Sequence, residues 1–300
     1  MTLSIRYLIR VFQLFQLPYI IGGLLVLTLS GCSAVRLGYN NAPELSYWWL
    51  DSYLDFNEAQ THKVRAELAA LQAWHRSGEL PLYVSTLEKL QRIAPANVTS
   101  EQVCDLFSEV TRHFQTLVDQ VEPTVVALAP SLREEQLDHL ARKLDKRSEK
   151  WRGEWLEGST AERDARRVKQ LLDRAEMLYG RLEEPQLAVL RNSVTSSTFN
   201  ATTSYRESLR RHQDALQTLR QIQAGTPNPG SVRAAVHALI GRSMESPDAA
   251  YRTYMKQITQ ENCKAFATLH NSSTPAQRRK VVETLKDYEM DARALMAQKR

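Results

Sequence analysis

The sequence predicts an all-α protein, an elongated or curved array of antiparallel helical hairpins. Three observations predict it. Apolar residues recur at helical spacing through nearly all of residues 43–300, and no stretch shows convincing period-two alternation. Glycine is scarce, 11 in 300 residues, and three of these (Gly22, Gly23, Gly31) fall within the first 31 positions. A Gly-poor chain has few tight turns, which argues against an all-β or a dinucleotide-binding fold and against a Gly-rich phosphate loop. Connections between the periodic segments run to about two to six residues, short enough to make neighbouring helices antiparallel. Charged residues at 24% and hydrophobic residues at 43% describe a folded chain.

The elements follow in order. Arg6 and Arg10 precede an apolar run over residues 11–29, interrupted by Gln13, Gln16, Pro18 and Thr28, which ends in Leu29-Ser30-Gly31-Cys32. Positive charge, an apolar run and small residues before a cleavage point make 1–31 an export signal. The run is about long enough to span a membrane, but Pro18 and Gly22-Gly23 weaken it as one helix. Its removal leaves 269 residues, enough for a sizeable core. Two arginines and no acid leave with it, so the formal charge falls from +5 to +3, too small to argue for nucleic acid.

Residues 32–42 are expected to be a short tether. Helical period then carries Tyr47, Leu50 and Leu54, and continues through Val64, Leu68 and Leu71 to Trp74, with Gly78 as a stop. Further helices are expected over 82–93, ended by Pro95, and over 99–121, stopped near Pro123. Residues 132–155 form a long helix with Leu137, Leu140, Leu144, Trp151 and Trp155 along one side, broken at Gly158-Ser159. Helices over 161–179 and from 185 to about 222 follow. The second is weakest at 192–204, where Ser and Thr side chains compete for backbone hydrogen bonds and favour a kink or break. Residues 225–230 read as a linker between the region 43–224 and the C-terminal part 231–300. That part holds helices over 231–244, 247–269 and 274 onward, expected to pack back on the first part.

One short pattern recurs: an apolar residue, three others, then Gln at a helix start. It is found at Phe56–Gln60, Val98–Gln102, Leu132–Gln136 and Leu182–Gln186, with a weaker copy at Ser273–Gln277. A Thr or Asn cap accepts from an early backbone N–H while Gln at the third helical position reaches back to the cap. Asn57, Thr99 and Thr274 are good caps; Arg133 and Glu183 are not. Such boxes serve as ordinary helix starts in any helical protein. The pattern also resembles the LTxxQ motif of Spy-type and CpxP-type periplasmic proteins, small curved helical dimers that include a chaperone holding unfolding proteins on its concave face.

The Leu29-Ser30-Gly31-Cys32 ending resembles the lipobox of bacterial lipoproteins. That resemblance implies a diacylglycerol on the Cys32 thiol, cleavage before it and acylation of the new amine. Ser33 in place of Asp implies, by the same resemblance, transfer to the outer membrane, with the body facing the periplasm from its inner leaflet. In that oxidising compartment Cys104 and Cys263 are expected either to form one disulfide or to remain two buried thiols in separate helices. The wider order of motifs is similar to the DUF6279 family of uncharacterised proteobacterial lipoproteins. It comprises Tyr39-Asn40-Asn41-Ala42, Asp51-Ser52-Tyr53-Leu54-Asp55, Trp74-His75-Arg76, Glu79-Leu80-Pro81-Leu82-Tyr83 and Gly180-Arg181-Leu182-Glu183-Glu184-Pro185-Gln186. Tyr179 stands where that family tends to place Trp. The resemblance implies a location and a helical fold, with no activity attached.

Candidate chemistry is sparse. None of the seven His forms a zinc-protease pair or lies at ligand spacing from a Cys, so no metal or cofactor is expected. There is no Gly-x-Ser-x-Gly elbow and no phosphate loop. Asp51 and Asp55 share a helix face as a carboxylate pair, or serve simply as solvated acids near a helix N-terminus. The helix with Arg142, Lys143, Lys146, Arg147, Lys150 and Arg152 has interleaved acids and reads as a solvated face, or as a groove for anionic lipid or peptide. Trp48 and Trp49, with Tyr47 and Tyr53, belong to the first helix pair's core or to the lipid headgroup level. The expectation is therefore a non-enzymatic binding protein, anchored to the membrane by lipid on Cys32 and chaperone-like toward envelope polypeptides. The alternative is a scaffolding subunit with one fixed protein partner.

Overall fold

A computed structural model describes residues 34–225 and 228–298, and every regular element among them is helical. α1 (Ala34–Asn40) and α2 (Ala42–Leu54) precede α3 (Glu58–Trp74), which passes through a π-helical turn (His75–Glu79) directly into α4 (Leu80–Ile93). α5 (Ser100–Leu128) ends in a 3₁₀ turn (Ala129–Ser131). Then follow α6 (Glu134–Trp155), α7 (Thr160–Tyr179), α8 (Glu184–Thr195), α9 (Ala201–Ala224), α10 (Pro229–Met244), α11 (Ala249–Asn271) and α12 (Pro275–Ala297).

Several boundaries differ from the sequence reading. Gly78 does not stop the helix. The chain widens into the π turn just before Pro81, whose ring and missing N–H would crowd an ordinary turn, and continues. Pro123 lies inside α5. One lost backbone bond is outweighed by burial just beyond it, since Val125 and Val126 pack with Ala129, Ile222, Val232 and Val236. The segment expected as a tether is helical at α1, fastened by Arg36 to Asp291 at 3.1 Å and by Tyr39 Oη to His75 Nδ1 at 3.0 Å. The Ser/Thr-rich stretch is a true break, with α8 ending at Thr195 and α9 capped by Asn200.

The two halves of the chain cross-pack. α4 lies along α12, where Gln91 Nε2 donates to Glu289 at 2.8 Å. α9 lies along α6, where Trp151 stacks on Tyr205 (centroids 5.6 Å) and Arg220 pairs with Asp138 at 2.9 Å. α5 is bonded to α11 by a Cys104–Cys263 disulfide, Cα atoms 5.4 Å apart. Each half thus completes the other. The C-terminal helices contact the first half through these pairings, and residues 226 and 227 of the linker lie outside the described residues.

Candidate functional site

The five motif glutamines begin α3, α5, α6, α8 and α12. Each Oε1 accepts the backbone N–H of its own cap residue: Asn57 (3.1 Å), Thr99 (2.9 Å), Arg133 (3.1 Å), Glu183 (2.8 Å) and Thr274 (2.9 Å). Four of them do more. Gln136 Nε2 donates to Gln60 Oε1 at 2.8 Å and Gln60 Nε2 returns a longer bond of 3.3 Å. Gln186 and Gln277 make the same exchange at 2.6 and 2.9 Å. All four are buried, so every amide hydrogen and oxygen must find a partner, and backbone carbonyls complete the set. Gln102 is the exception: it is exposed and makes only its own cap. Its junction is closed instead by Asn271, which both accepts from the Val98 N–H and donates to the Val98 carbonyl at 2.9 Å, with the Cys104–Cys263 bond nearby.

The two pairs are copies of one arrangement. Gln60 Nε2 donates to the Ser131 carbonyl, five residues before Gln136; Gln186 Nε2 donates to the Ser272 carbonyl, five residues before Gln277. Gln136 reaches the Asp55 carbonyl and Gln277 the Arg181 carbonyl, each five residues before the partner glutamine. Gln60 and Gln186 are 126 positions apart, Gln136 and Gln277 are 141 apart, and those offsets relate the neighbouring residues too. Tyr53 corresponds to Tyr179, Phe56 to Leu182, Val64 to Leu190, Leu128 to Leu269, Leu140 to Val281 and Leu144 to Leu285.

The copies differ in what they enclose. In the second, Tyr179, Leu182, Leu190, Leu269, Val281 and Leu285 are buried in one core with Ala94 of α4. The cavity left beside that core is about 130 Å³. In the first copy the corresponding residues line a cavity of about 400 Å³ between α2, α3, α5 and α6, with Leu219 of α9 at its side. Leu54, Leu68, Leu71, Leu128, Leu140 and Leu144 are only partly buried there. Volumes of about 300–1,000 Å³ with mostly apolar walls are those of ligand pockets. The polar side chains are the exposed Glu67, which accepts from Thr124 Oγ1 at 3.1 Å, the exposed Gln120 and Arg147, and the polar ends of Trp49 and Tyr53.

The other candidates are distributed as follows. Tyr47 is buried, its hydroxyl bonded to Thr61 Oγ1 at 3.0 Å and its face covered by the Arg65 guanidinium at 4.0 Å. Trp48 is half exposed, while Trp49 and Tyr53 line the cavity. Asp51 and Asp55 lie one turn apart at the end of α2, the Asp55 N–H bonded to the Asp51 carbonyl at 2.8 Å. Asp51 accepts the Phe56 N–H at 3.0 Å, closing the end of α2, and Asp55 steps into the left-handed region at φ 48°. That geometry is a helix C-terminus, with the Asp51 carboxylate engaged in closing it. On the basic helix, Asp138 pairs with Arg220, Lys150 with Glu154 at 3.6 Å, and Arg152 bridges Glu149 and Glu157. Cys32 and the lipobox residues Leu29, Ser30 and Gly31 lie outside the described residues.

A second polar cluster surrounds the π turn. His113 Nδ1 contacts the buried Glu79 carboxylate at 2.9 Å, Tyr83 stands edge-on to His113 and His75, and burial holds His75 below the ordinary imidazole range. It ties α1 and α5 to the π turn. Among the described residues no group of three or more His, Cys, Asp or Glu is placed to hold a metal ion.

The cavity was missed in the sequence reading because its lining has the same periodicity as a core. The signal that finds it is the repeat Tyr-x-x-apolar-x-x-x-Gln at Tyr53–Gln60 and Tyr179–Gln186, which aligns the halves and exposes their different filling. No helix among the described residues is long and apolar enough to cross a membrane. No curated protein and no solved structure matches the chain. A family model does match, over residues 52–228, more than half of the sequence, and its span holds the first glutamine pair, the whole cavity apart from Trp49 and Leu50, and Gln186 of the second pair. The chain belongs to DUF6279, a family of unknown function.

Proposed function

We propose that the protein is a helical lipoprotein of the bacterial envelope whose body is a non-enzymatic binding module, with the 400 Å³ cavity as its binding site. The observation that carries this reading is the difference between the two copies. The same paired-glutamine frame is filled at Gln186–Gln277 and left open at Gln60–Gln136. Partly exposed leucines cost stability unless something covers them, so the open copy is the one that has a reason to stay open. The anchor in this reading is lipid on Cys32, held in the inner leaflet of the outer membrane and facing the periplasm. The Leu29-Ser30-Gly31-Cys32 ending supports it, as does a Cys104–Cys263 bond, which suits an oxidising compartment. The likeness of the glutamine motifs to the LTxxQ motif of Spy-type proteins fits a chaperone-like binding role for the helical body.

A photo-crosslinking amino acid placed at Leu71, on the cavity wall, tests this in cells. Adducts formed at Leu71 and lost in a cavity-filling Leu140→Trp variant support a binding module. A second reading, a scaffold with one fixed partner, has its own observation: Val110 and Phe114 lie one turn apart on α5, 56% and 52% exposed. It predicts a single stoichiometric adduct from Phe114 and none from Leu71.

A further inference from the structure

The cavity's shape and walls narrow what it holds. This step rests on the cavity being a binding site and goes on to name the ligand class. The four helices that form it all lead away from the Gln60–Gln136 pair: α3 and α6 start there, and α2 and the turn after α5 end there. Phe56, Ala129 and Leu132 line the end beside the glutamines, and Leu71, Gln120 and Arg147 line the far end. From Gln136 to Arg147 is 11 residues of α6, about 16 Å of helix.

A slot of that length and 400 Å³ is too thin for a docked helix, whose body is about 10 Å across. An extended peptide fits the width but not the chemistry. It carries an N–H and a C=O at every residue, and the helical walls have already used their own backbone groups. Polar side-chain atoms come from Glu67, Thr124, Gln120, Arg147 and the polar ends of Trp49 and Tyr53, too few for a run of peptide groups, and Thr124 already donates to Glu67. Buried amides without partners are strongly disfavoured. A hydrocarbon chain needs no partners. At roughly 30 Å³ per methylene, close to water's share of the liquid, the slot takes a chain of about a dozen carbons.

The far end supplies the head group. Arg147 is exposed and lines the cavity. Among the described residues no carboxylate forms a salt bridge with it. Lys143 and Lys150 lie one turn before and one turn after it on the same side of α6. A guanidinium at the mouth of an apolar slot is a docking point for carboxylate or phosphate. We propose that the cavity binds one single-chain anionic amphiphile of the fatty-acid class, tail toward the Gln60–Gln136 pair and head at Arg147.

The test uses the full chain in phospholipid nanodiscs with three probes: a 12-carbon carboxylate with a diazirine in its tail, the matching 12-carbon alcohol, and an apolar peptide containing photo-leucine. The carboxylate is expected to label peptides containing Leu68, Leu140 and Leu144. Filling the slot with Leu140→Trp, or with Leu144→Phe should the first variant not fold, abolishes that labelling. Arg147→Glu, an exposed change that leaves the helix intact, lowers carboxylate labelling by about tenfold and alcohol labelling by less than about twofold, as loss of a charge-assisted contact requires. Equal labelling by carboxylate and alcohol, unmoved by Arg147→Glu, overturns the anionic head while leaving the binding module standing. Labelling by the peptide alone overturns the acyl ligand and supports a polypeptide client. No labelling by any probe removes both this proposal and the binding reading.

Discussion

Gln186 and Gln277 hold each other by two side-chain amide hydrogen bonds, 2.6 and 2.9 Å long, in a site almost closed to water, and join the start of α8 to the start of α12. Gln60 and Gln136 do the same for α3 and α6. Each glutamine works twice, as the cap of its own helix and as the bolt between two hairpins. Gln102 works once.

That difference predicts a gradient of mutational effects. Gln136→Ala strips partners from Gln60, from the Arg133 N–H and from the Leu54 and Asp55 carbonyls. The expected loss is about 2–3 kcal/mol, the range for buried groups left unsatisfied. Gln102→Ala removes half of an exposed capping box and should cost about 1 kcal/mol or less. In a double-mutant cycle Gln60 and Gln136 should couple by about 1 kcal/mol or more, and Gln60 with Gln102 by nothing measurable. Urea midpoints of the five variants decide it; equal losses at Gln102 and Gln136 would reduce the pairs to ordinary caps.

The glutamine starts were legible in the sequence because capping is local: a cap, three residues and a Gln suffice. Their pairing was not, because nothing within a five-residue window records a partner 76 or 91 residues away. Gly78 and Pro123 misled for the related reason that they were read as local stops. At Pro123 distant packing against Ile222 and Val236 overrides the missing N–H, and at Gly78 a wider turn absorbs Pro81. The cavity needed both levels at once. Leu140 and Val281 occupy matching positions, and only the three-dimensional surroundings show that one is packed and the other open.

Asp55 gives a prediction of opposite sign. Its φ of 48° places a side-chain-bearing residue in left-handed backbone at the end of α2, where glycine is at ease. Asp55→Gly should leave the fold intact and change stability favourably by about 0.5–1 kcal/mol. Asp51→Ala, which removes the acceptor of the Phe56 N–H, should cost about 1 kcal/mol. Thermal unfolding of the two variants checks both signs, and a large loss in Asp55→Gly would mean that the carboxylate has a partner of its own.

His270 predicts acid sensitivity. Its Nδ1 accepts a hydrogen bond from the Tyr179 hydroxyl at 2.9 Å and its Nε2–H donates to the Ala96 carbonyl at 3.0 Å, an arrangement that fits the neutral ring. Burial lowers its pKa, the Ala96 carbonyl opposes that, and Arg278 adds to it. The unfolded chain therefore binds more protons than the native one below the ordinary value of about 6.5. Stability from this group is complete above that value and is lost as pH falls through it toward the lower native pKa. His75 and His212, also held low by burial, contribute with the same sign. Urea midpoints should fall between pH 7.5 and 5.5, and His270→Gln should be less stable at pH 7.5 with a shallower pH slope. A midpoint that rises on acidification would contradict the neutral assignment.

The Cys104–Cys263 bond predicts how the two halves part company. It spans 159 positions, so in the chain-entropy account it restricts a very long loop of the unfolded chain. The expected contribution is about 4–5 kcal/mol, less whatever the unfolded state already orders. Yet the halves are also joined by α4 on α12, α9 on α6 and the Asn271–Val98 clasp, none of which involves sulfur. Reduction should therefore lower the melting temperature by about 10 °C or more without separating the unfolding into two transitions. The clearest readout is hydrogen exchange with and without reductant. Protection should fall first along the start of α5 and the middle of α11, while the glutamine junctions at α3, α6, α8 and α12 keep theirs. If α12 loses protection as early as α11, the disulfide is what holds the C-terminal helices in place; if the Cys104→Ala, Cys263→Ala variant melts with the wild type, the bond contributes nothing and the apolar packing of Val98, Val103 and Ala267 accounts for that junction alone.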